Sequence, residues 1–365
     1  MKKLIHDFFD RYFHDEESVI LVLLLSVGFV VLLNLGSALA PLLTAVIVAY
    51  LMQGLVNVLL RYGLSQRLAF ILVYSVFMGL FLIALVFLLP RAWEQLRRLI
   101  DELPNLLSQG QAALMLLPER YPSLFSEAQI QEFILGVRGE LGGYGQVILE
   151  YSLASIPGVI NWLVFLILVP ILVFFVMKDK SQLINWAGNF LPRNRPLMSK
   201  IWQEMDQQIS NYVRGKGLEI LIVGLASFLM FEVLGLNYAL LLSVLVGLSV
   251  VVPYIGATVV TVPVAAIAFV QWGVGAEFYT AVIAYGVLQL LDGNVLVPVI
   301  FSEAVNLHPV AIIASVLVFG GVWGLAGVFF AIPLATLVKA VINSWPSKVA
   351  GQTETTLELG NEVAN

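Results

Sequence analysis

Six apolar runs, at residues 19–35, 38–60, 68–90, 156–177, 218–236 and 276–301, are each close to the length that crosses a bilayer, about 20 residues of α-helix over roughly 30 Å of hydrocarbon. Backbone in lipid has to satisfy its own hydrogen bonds, so such runs fold as helices rather than as open strands. The composition agrees: 60% of the 365 residues are hydrophobic and only 12% charged, against about a quarter charged in a soluble domain. Mean hydropathy is +0.94. The chain reads as an all-α integral membrane protein with about six full transmembrane helices.

Several function classes drop out at this point. There is no cysteine, which removes disulfides, thiolate metal sites and thiol catalysis. No basic patch with interleaved aromatics suggests nucleic acid, and no GxxxxGK[ST] suggests nucleotide hydrolysis. HExxH, a rhomboid-like GxSG and a paired-aspartate arrangement are also missing. No enzyme activity, catalytic residue, metal or cofactor is expected.

Orientation follows from Lys and Arg, because the net charge of −5 matters less than where the basic residues sit. Lys2, Lys3 and Arg11 precede the first run, and Arg61 and Arg67 separate the second from the third. Lys178, Lys180, Arg193, Arg195, Lys200, Arg214 and Lys216 follow the fourth, and Lys339 and Lys348 lie near the end. Placing all of these in the cytoplasm puts both termini there and leaves 91–152 outside, where acids balance the arginines. The opening MKKLIHDFFDRYFHDEE carries no cleavage signal and reads as an amphipathic segment, 1–18. Runs one to three occupy 19–90, with a tight hairpin expected at Gly36–Ser37. Helical spacing in WEQLRRLIDELPNLL and SEAQIQEFILGVRGEL makes 91–152 a small helical extracytoplasmic domain. The fourth span is 153–177, an amphipathic connector broken at Pro192 and Pro196 covers 178–217, and a polar tail fills 343–365.

The region 218–342 contains a weak repeat. NYALLLSVLVG from Asn237 resembles HPVAIIASVLVFGG from His308, and TVPVA (Thr261–Ala265) resembles AIPLA (Ala331–Ala335). Each copy is interrupted by helix breakers: Pro253, Tyr254, Ile255 and Gly256 in one, and GGVWGLAG with Gly320, Gly321 and Gly324 in the other. The unpaired N–H and C=O groups at such tips make these residues candidates to bind a polar solute or an ion. The flanking arms are mostly short for a full crossing, so 237–271 and 308–342 read as re-entrant helical hairpins. A span followed by a hairpin, repeated with inverted topology, is an arrangement that secondary transporters build around a central site. Two ordinary kinked spans are the plainer alternative.

The sixth run holds LLDGNVLVPVIF. An acid at the bilayer centre costs about 2.5–3.5 kcal/mol on the insertion scale, so Asp292 should face away from lipid. Gly293 and Pro298 should weaken the helix around Asn294, freeing carbonyls beside a carboxylate and an amide. Gln289 lies three residues earlier on nearly the same face. Such a group could coordinate a cation, carry a proton or bind a hydroxyl-rich solute; alternatively Asp292 caps a helix or pairs with a cation such as Lys216. His308 before Pro309 reads as a cap or a proton carrier. Pro298, His308, Pro309 and Pro333 are expected structural breaks. Glu219 and Glu232 are expected at the two interfaces.

These residues also carry a resemblance. PYIG at 253–256, Asp292, Asn294, Leu296 and Pro298 in D-x-N-x-L-x-P, NLHP at 306–309 and the Gly-rich segment 320–335 are similar to the autoinducer-2 exporter (AI-2E) family of transporters. YVRGK at 212–216, APLL at 40–43 and LPRNR at 191–195 fit as well. The resemblance implies a homo-pentamer in the bacterial inner membrane, with two hairpins forming the substrate site and each protomer working by an elevator movement. It implies a small polar solute such as autoinducer-2 in some relatives, and sodium/proton antiport in others. The family often has glutamate where this chain has Asp292. The expected function is a secondary transporter of a small polar solute, with sodium or a proton as coupling ion and the lipid bilayer and further copies as partners. A sodium/proton antiporter and a non-transporting envelope scaffold are the alternatives.

Overall fold

The computed structural model describes residues 16–115, 118, 126, 128–132, 134–136, 156–253, 255–301 and 307–344. The amphipathic segment before residue 16, residues 127, 133 and 137–141 of SEAQIQEFILGVRGEL, Tyr254, Asn306 and the tail beyond 344 lie outside them. All regular structure among the described residues is helical: α1 (Glu16–Arg61), α2 (Gln66–Ile83), a π turn (Ala84–Leu88), α3 (Leu89–Met115), α4 (Ile156–Lys178), α5 (Lys180–Gly188), α6 (Pro196–Leu234), α7 (Ala239–Ser249), α8 (Ile255–Trp272), α9 (Ala276–Leu291), a second π turn (Asp292–Leu296), α10 (Val297–Phe301) and α11 (Pro309–Ser344). Among the described residues, six helices are long and apolar enough to cross a membrane: Glu17–Gly36, Ala38–Arg61, Gln66–Ala112, Pro196–Leu234, Ile255–Trp272 and Ala276–Phe301. Trp162–Lys178 and Lys180–Gly188, bent by 75° at Asp179, form a further candidate. The protein is an all-α, multi-pass membrane protein.

Several expectations need correction. No non-helical turn separates the first two apolar runs, because α1 is helical through Gly36, Ser37 and Pro41. The helix of the third run continues past Pro90 as α3 to Met115. Pro196 starts α6 rather than breaking a helix, and α6 then runs without interruption to Leu234. Proline suits a first helical position, where its missing N–H would be unpaired anyway. The sixth run is also unbroken. Instead of opening at Gly293 it adopts a π turn, closed by the Val297 N–H donating to the Asp292 carbonyl. A wider turn there accommodates Pro298, which cannot donate to the preceding turn and crowds its carbonyls.

The chain folds as two units, one from residues 1–62, 172–215 and 301–365, the other from 63–171 and 216–300. In the first, Leu21, Met198 and Ile201 form one cluster, and Tyr212, Val213 and Ile332 another. The Glu17 carboxylate accepts the Leu197 and Met198 N–H groups at 3.3 and 2.7 Å, capping the start of α6, and Tyr50 donates to Asp206 at 2.6 Å. In the second unit, α6, α7, α8 and α9 share a core that includes Phe231, Leu242, Val246, Val264, Ala281 and Tyr285. Gly247 and Gly224 let α7 and α6 approach closely, since a Cβ on Gly247 would sit 3.0 Å from the Gly224 Cα.

Both regions expected to be hairpins contain a turn built on glycine. Between α7 and α8, a Cβ on Gly256 would lie 1.7 Å from the Ser249 carbonyl oxygen. Within α11, Gly324 has non-helical φ 59 and ψ −137, and a Cβ on Gly327 would lie 1.8 Å from the Phe319 carbonyl oxygen. Of the arms around the first turn, α7 has 11 residues and α8 has 18, which rise about 17 and 27 Å at 1.5 Å per residue.

Candidate functional site

The second unit gathers its buried charges around the turn between α7 and α8. Lys216 and Glu219 are three residues apart on α6, so they share a face. The Lys216 Nζ donates to Glu219 Oε2 at 2.7 Å and to the Val250 carbonyl at 2.8 Å. Side-chain exposure of the pair is 7% and 2%, so both are buried in protein, and Lys216 lies within α6 rather than in a loop. Val250 belongs to the turn, so the lysine holds one end of it through a charge-assisted bond.

Asp292 stands at the junction of α9 and the π turn. Lys216 attracts its carboxylate, and Glu219 and Asp292 repel each other. Asp292 Oδ1 is buried with no hydrogen-bond partner among the described residues. On the same helix, Gln289 Nε2 donates to the Tyr285 hydroxyl at 2.7 Å. Tyr285 makes a long 3.5 Å contact to the Ala257 carbonyl at the start of α8, which also accepts from Thr261 Oγ1 at 2.7 Å. One lysine, two acids, a phenol, an amide and two carbonyls thus line one polar interior region. With all three charged groups ionised, its net charge is one plus and two minus, or −1. No cluster of three metal-ligating side chains occurs among the described residues.

The other expected site residues fall differently. Asn294 is exposed, and its Nδ2 donates to the Leu290 carbonyl at 2.9 Å, so its amide braces the π turn. Pro253 is half-buried in the turn, Ile255 is 48% exposed and Gly256 is packed under Ser249. Gly320, Gly321 and Gly324 belong to the first unit, with Gly321 and Gly324 exposed. His308 caps α11, its Nδ1 accepting the Val310 N–H at 3.3 Å, and Pro309 is the first residue of α11. Pro298 and Pro333 lie inside helices and break neither. Lys216 and Glu219 could have been found from the sequence: opposite charges three residues apart beside an apolar run read as a buried pair.

A profile of the AI-2E transporter family matches residues 19–347, which include every residue of this region. The chain belongs to the AI-2E transporter family. Among curated AI-2E relatives, PerM of Escherichia coli (strain K12), which bears the provisional name of a permease, is 47% identical over 346 residues, 95% of this chain and 98% of PerM. YueF of Bacillus subtilis (strain 168), provisionally named a transport protein, is 28% identical over 82% of each chain. TqsA of Escherichia coli (strain K12), named an AI-2 transport protein, is 24% identical over 88% of this chain and 91% of its own.

Proposed function

We propose that this AI-2E family member is a secondary transporter of a small polar solute, and that Asp292, Lys216, Glu219, Gln289 and Tyr285 bind its coupling cation beside the first hairpin turn. The observation carrying the reading is the buried Asp292 oxygen without a partner, set among charges that sum to −1. An unpaired charge at this depth is costly, and one proton or one sodium ion neutralises the group. A cation on Asp292 also draws the carboxylate away from Lys216, which bonds the Val250 carbonyl. Occupancy and hairpin position are thereby linked.

In this reading the turns at 250–253 and around Gly324 are tips of re-entrant hairpins. The 11-residue arm α7 supports it, since about 17 Å is far short of roughly 30 Å of hydrocarbon. Alternating access by an elevator movement carries the hairpins across, with both termini on the cytoplasmic side of the inner membrane. The AI-2 transport protein TqsA supports an autoinducer-2-like molecule as one solute to test. Sodium/proton antiport is the second reading, favoured by the same −1 cluster, and needs no organic solute.

The native chain has no cysteine, so Ile255→Cys and Gly321→Cys each introduce a unique thiol. Labelling by an impermeant maleimide from each side, under imposed sodium and proton gradients, tests the movement. Reactivity that shifts sides with the gradient is expected at one tip or both. Labelling fixed on one side, or absent at both, would overturn the elevator reading and favour a scaffold.

A further inference from the structure

The first unit contains a cavity that the transport reading does not use. It encloses about 750 Å³, within the range of ligand-sized cavities, about 300–1,000 Å³. Its body is apolar, walled by Leu24, Leu42 and Val46 of α1, Ile184 of α5 and Leu337 of α11. Its polar lining is uneven in charge. Asp206 already accepts from Tyr50 at 2.6 Å. The cations are Lys180, exposed at the start of α5, and Arg195, whose Nη1 donates to the Gly188 carbonyl at 2.7 Å.

The element beside the cavity suits a membrane surface. α5 departs from the preceding apolar helix by 75°. It and the following turn expose Leu183, Ile184, Trp186 and Phe190, the last at 73%, with Trp186 and Phe190 edge to face at 5.0 Å. Residues 178–200 carry Lys178, Lys180, Arg193, Arg195 and Lys200 against Asp179 alone, five plus and one minus, or +4. Exposed aromatic and aliphatic side chains alongside concentrated positive charge are how an interfacial helix engages anionic lipid.

We propose that this cavity is a binding site for one anionic glycerophospholipid, its acyl chains along Leu24, Leu42, Val46 and Leu337 and its phosphate at Lys180 and Arg195. Charge selects the occupant: the apolar walls accept any acyl chain, whereas the basic collar favours an acidic headgroup over a zwitterionic one.

The test is native mass spectrometry of the full chain in mild detergent, titrated in parallel with phosphatidylglycerol and phosphatidylcholine. One phosphatidylglycerol retained in preference to phosphatidylcholine is expected. Lys180→Glu, at an exposed position, is expected to weaken that retention at least about fivefold, the effect of removing one basic residue near a lipid surface. Ala187→Phe, which adds a ring at an exposed position lining the cavity, is expected to abolish it, with monodispersity on gel filtration checking the fold. Equal retention of both lipids would overturn the proposal by reducing the cavity to ordinary annular contact. So would selective retention unchanged in both variants, which would put the lipid elsewhere. Chain-to-chain cross-linking of Trp186→Cys with a bifunctional maleimide, without lipid retention, would instead make the cavity a seat for a second copy.

Discussion

Lys216 and Glu219 are each desolvated in α6, and each is tolerable only while the other is present. Removing one partner of such a pair leaves an uncompensated buried charge, at a cost of about 3–5 kcal/mol, whereas exchanging both for apolar groups of similar volume is close to neutral. Lys216→Met should therefore lower the melting temperature in detergent markedly, and Lys216→Met with Glu219→Leu should restore most of the loss. A double variant no more stable than Lys216→Met would show that the lysine acts mainly through Val250. Asp292 is a different case, since its Oδ1 has no partner to lose among the described residues. Asp292→Asn keeps the shape and removes the charge, so stability should hold or rise while ion-dependent flux disappears. Equal flux in the two proteins, with melting curves unchanged, would remove Asp292 from the proposed site.

At the scale of the element, the hairpin turns depend on atoms that are missing. A methyl on Gly256 or Gly327 would collide with backbone oxygen, whereas a Cβ on Gly321 meets nothing within 4 Å. Gly256→Ala and Gly327→Ala should each destabilise by about 3 kcal/mol or more, and Gly321→Ala should be tolerated; thermal unfolding of the three variants distinguishes them. The end of the α7–α8 pair opposite the turn is held by polar contacts. Gln271 accepts the Asn237 N–H and donates to the Gly235 carbonyl, both at 2.7 Å, Gln95 of α3 accepts the Leu241 N–H at 2.8 Å, and Tyr238 donates to Glu102. Burial, and then the hydrogen bond and charge of Glu102, push the Tyr238 phenol up from 10.0 to about 12. Because the folded value lies above the unfolded one, this contact contributes fully below pH 10 and is lost as pH rises through about 12. Tyr238→Phe should remove that alkaline component from the stability profile without altering the neutral-pH fold.

Elements were legible in the sequence wherever one signal decided them. Apolar length gave five of the six long apolar helices, while α8, read as a hairpin arm, is the sixth and the run 156–177 belongs to the bent pair. Clustered Gly and Pro gave the two turns. Other features lacked such a signal. Pro196 looks the same in sequence whether it breaks a helix or starts one, and only the Glu17 cap on the next two N–H groups shows which. A π turn adds one residue per turn without changing composition, so DGNVL read as a break. Lys216 resembled a loop charge because the apolar run begins just after it, although α6 carries the same face onward to Glu219. Of the proposed site, Asp292 and Gln289 were named from the sequence and Lys216 only as a possible structural partner of Asp292, whereas Glu219 was placed at an interface.

At the scale of the whole molecule, the arrangement suits a solvent of lipid. Large apolar residues such as Leu23, Val86, Leu225, Leu290 and Leu317 are exposed along the long helices, where hydrocarbon rather than water covers them. Among the described residues of the second unit, the buried pair Lys216 and Glu219 lies beside one turn, through the Lys216 bond to the Val250 carbonyl. The most direct test of the account is ion flux in proteoliposomes holding the wild-type chain or Asp292→Asn, with an entrapped pH dye reporting the response to an imposed sodium gradient and to a proton gradient with added autoinducer-2. Gradient-dependent flux in the wild type and at least tenfold less in Asp292→Asn is the predicted result. Equal flux from both chains, or none from a folded wild type under any gradient, would contradict a coupling site centred on Asp292.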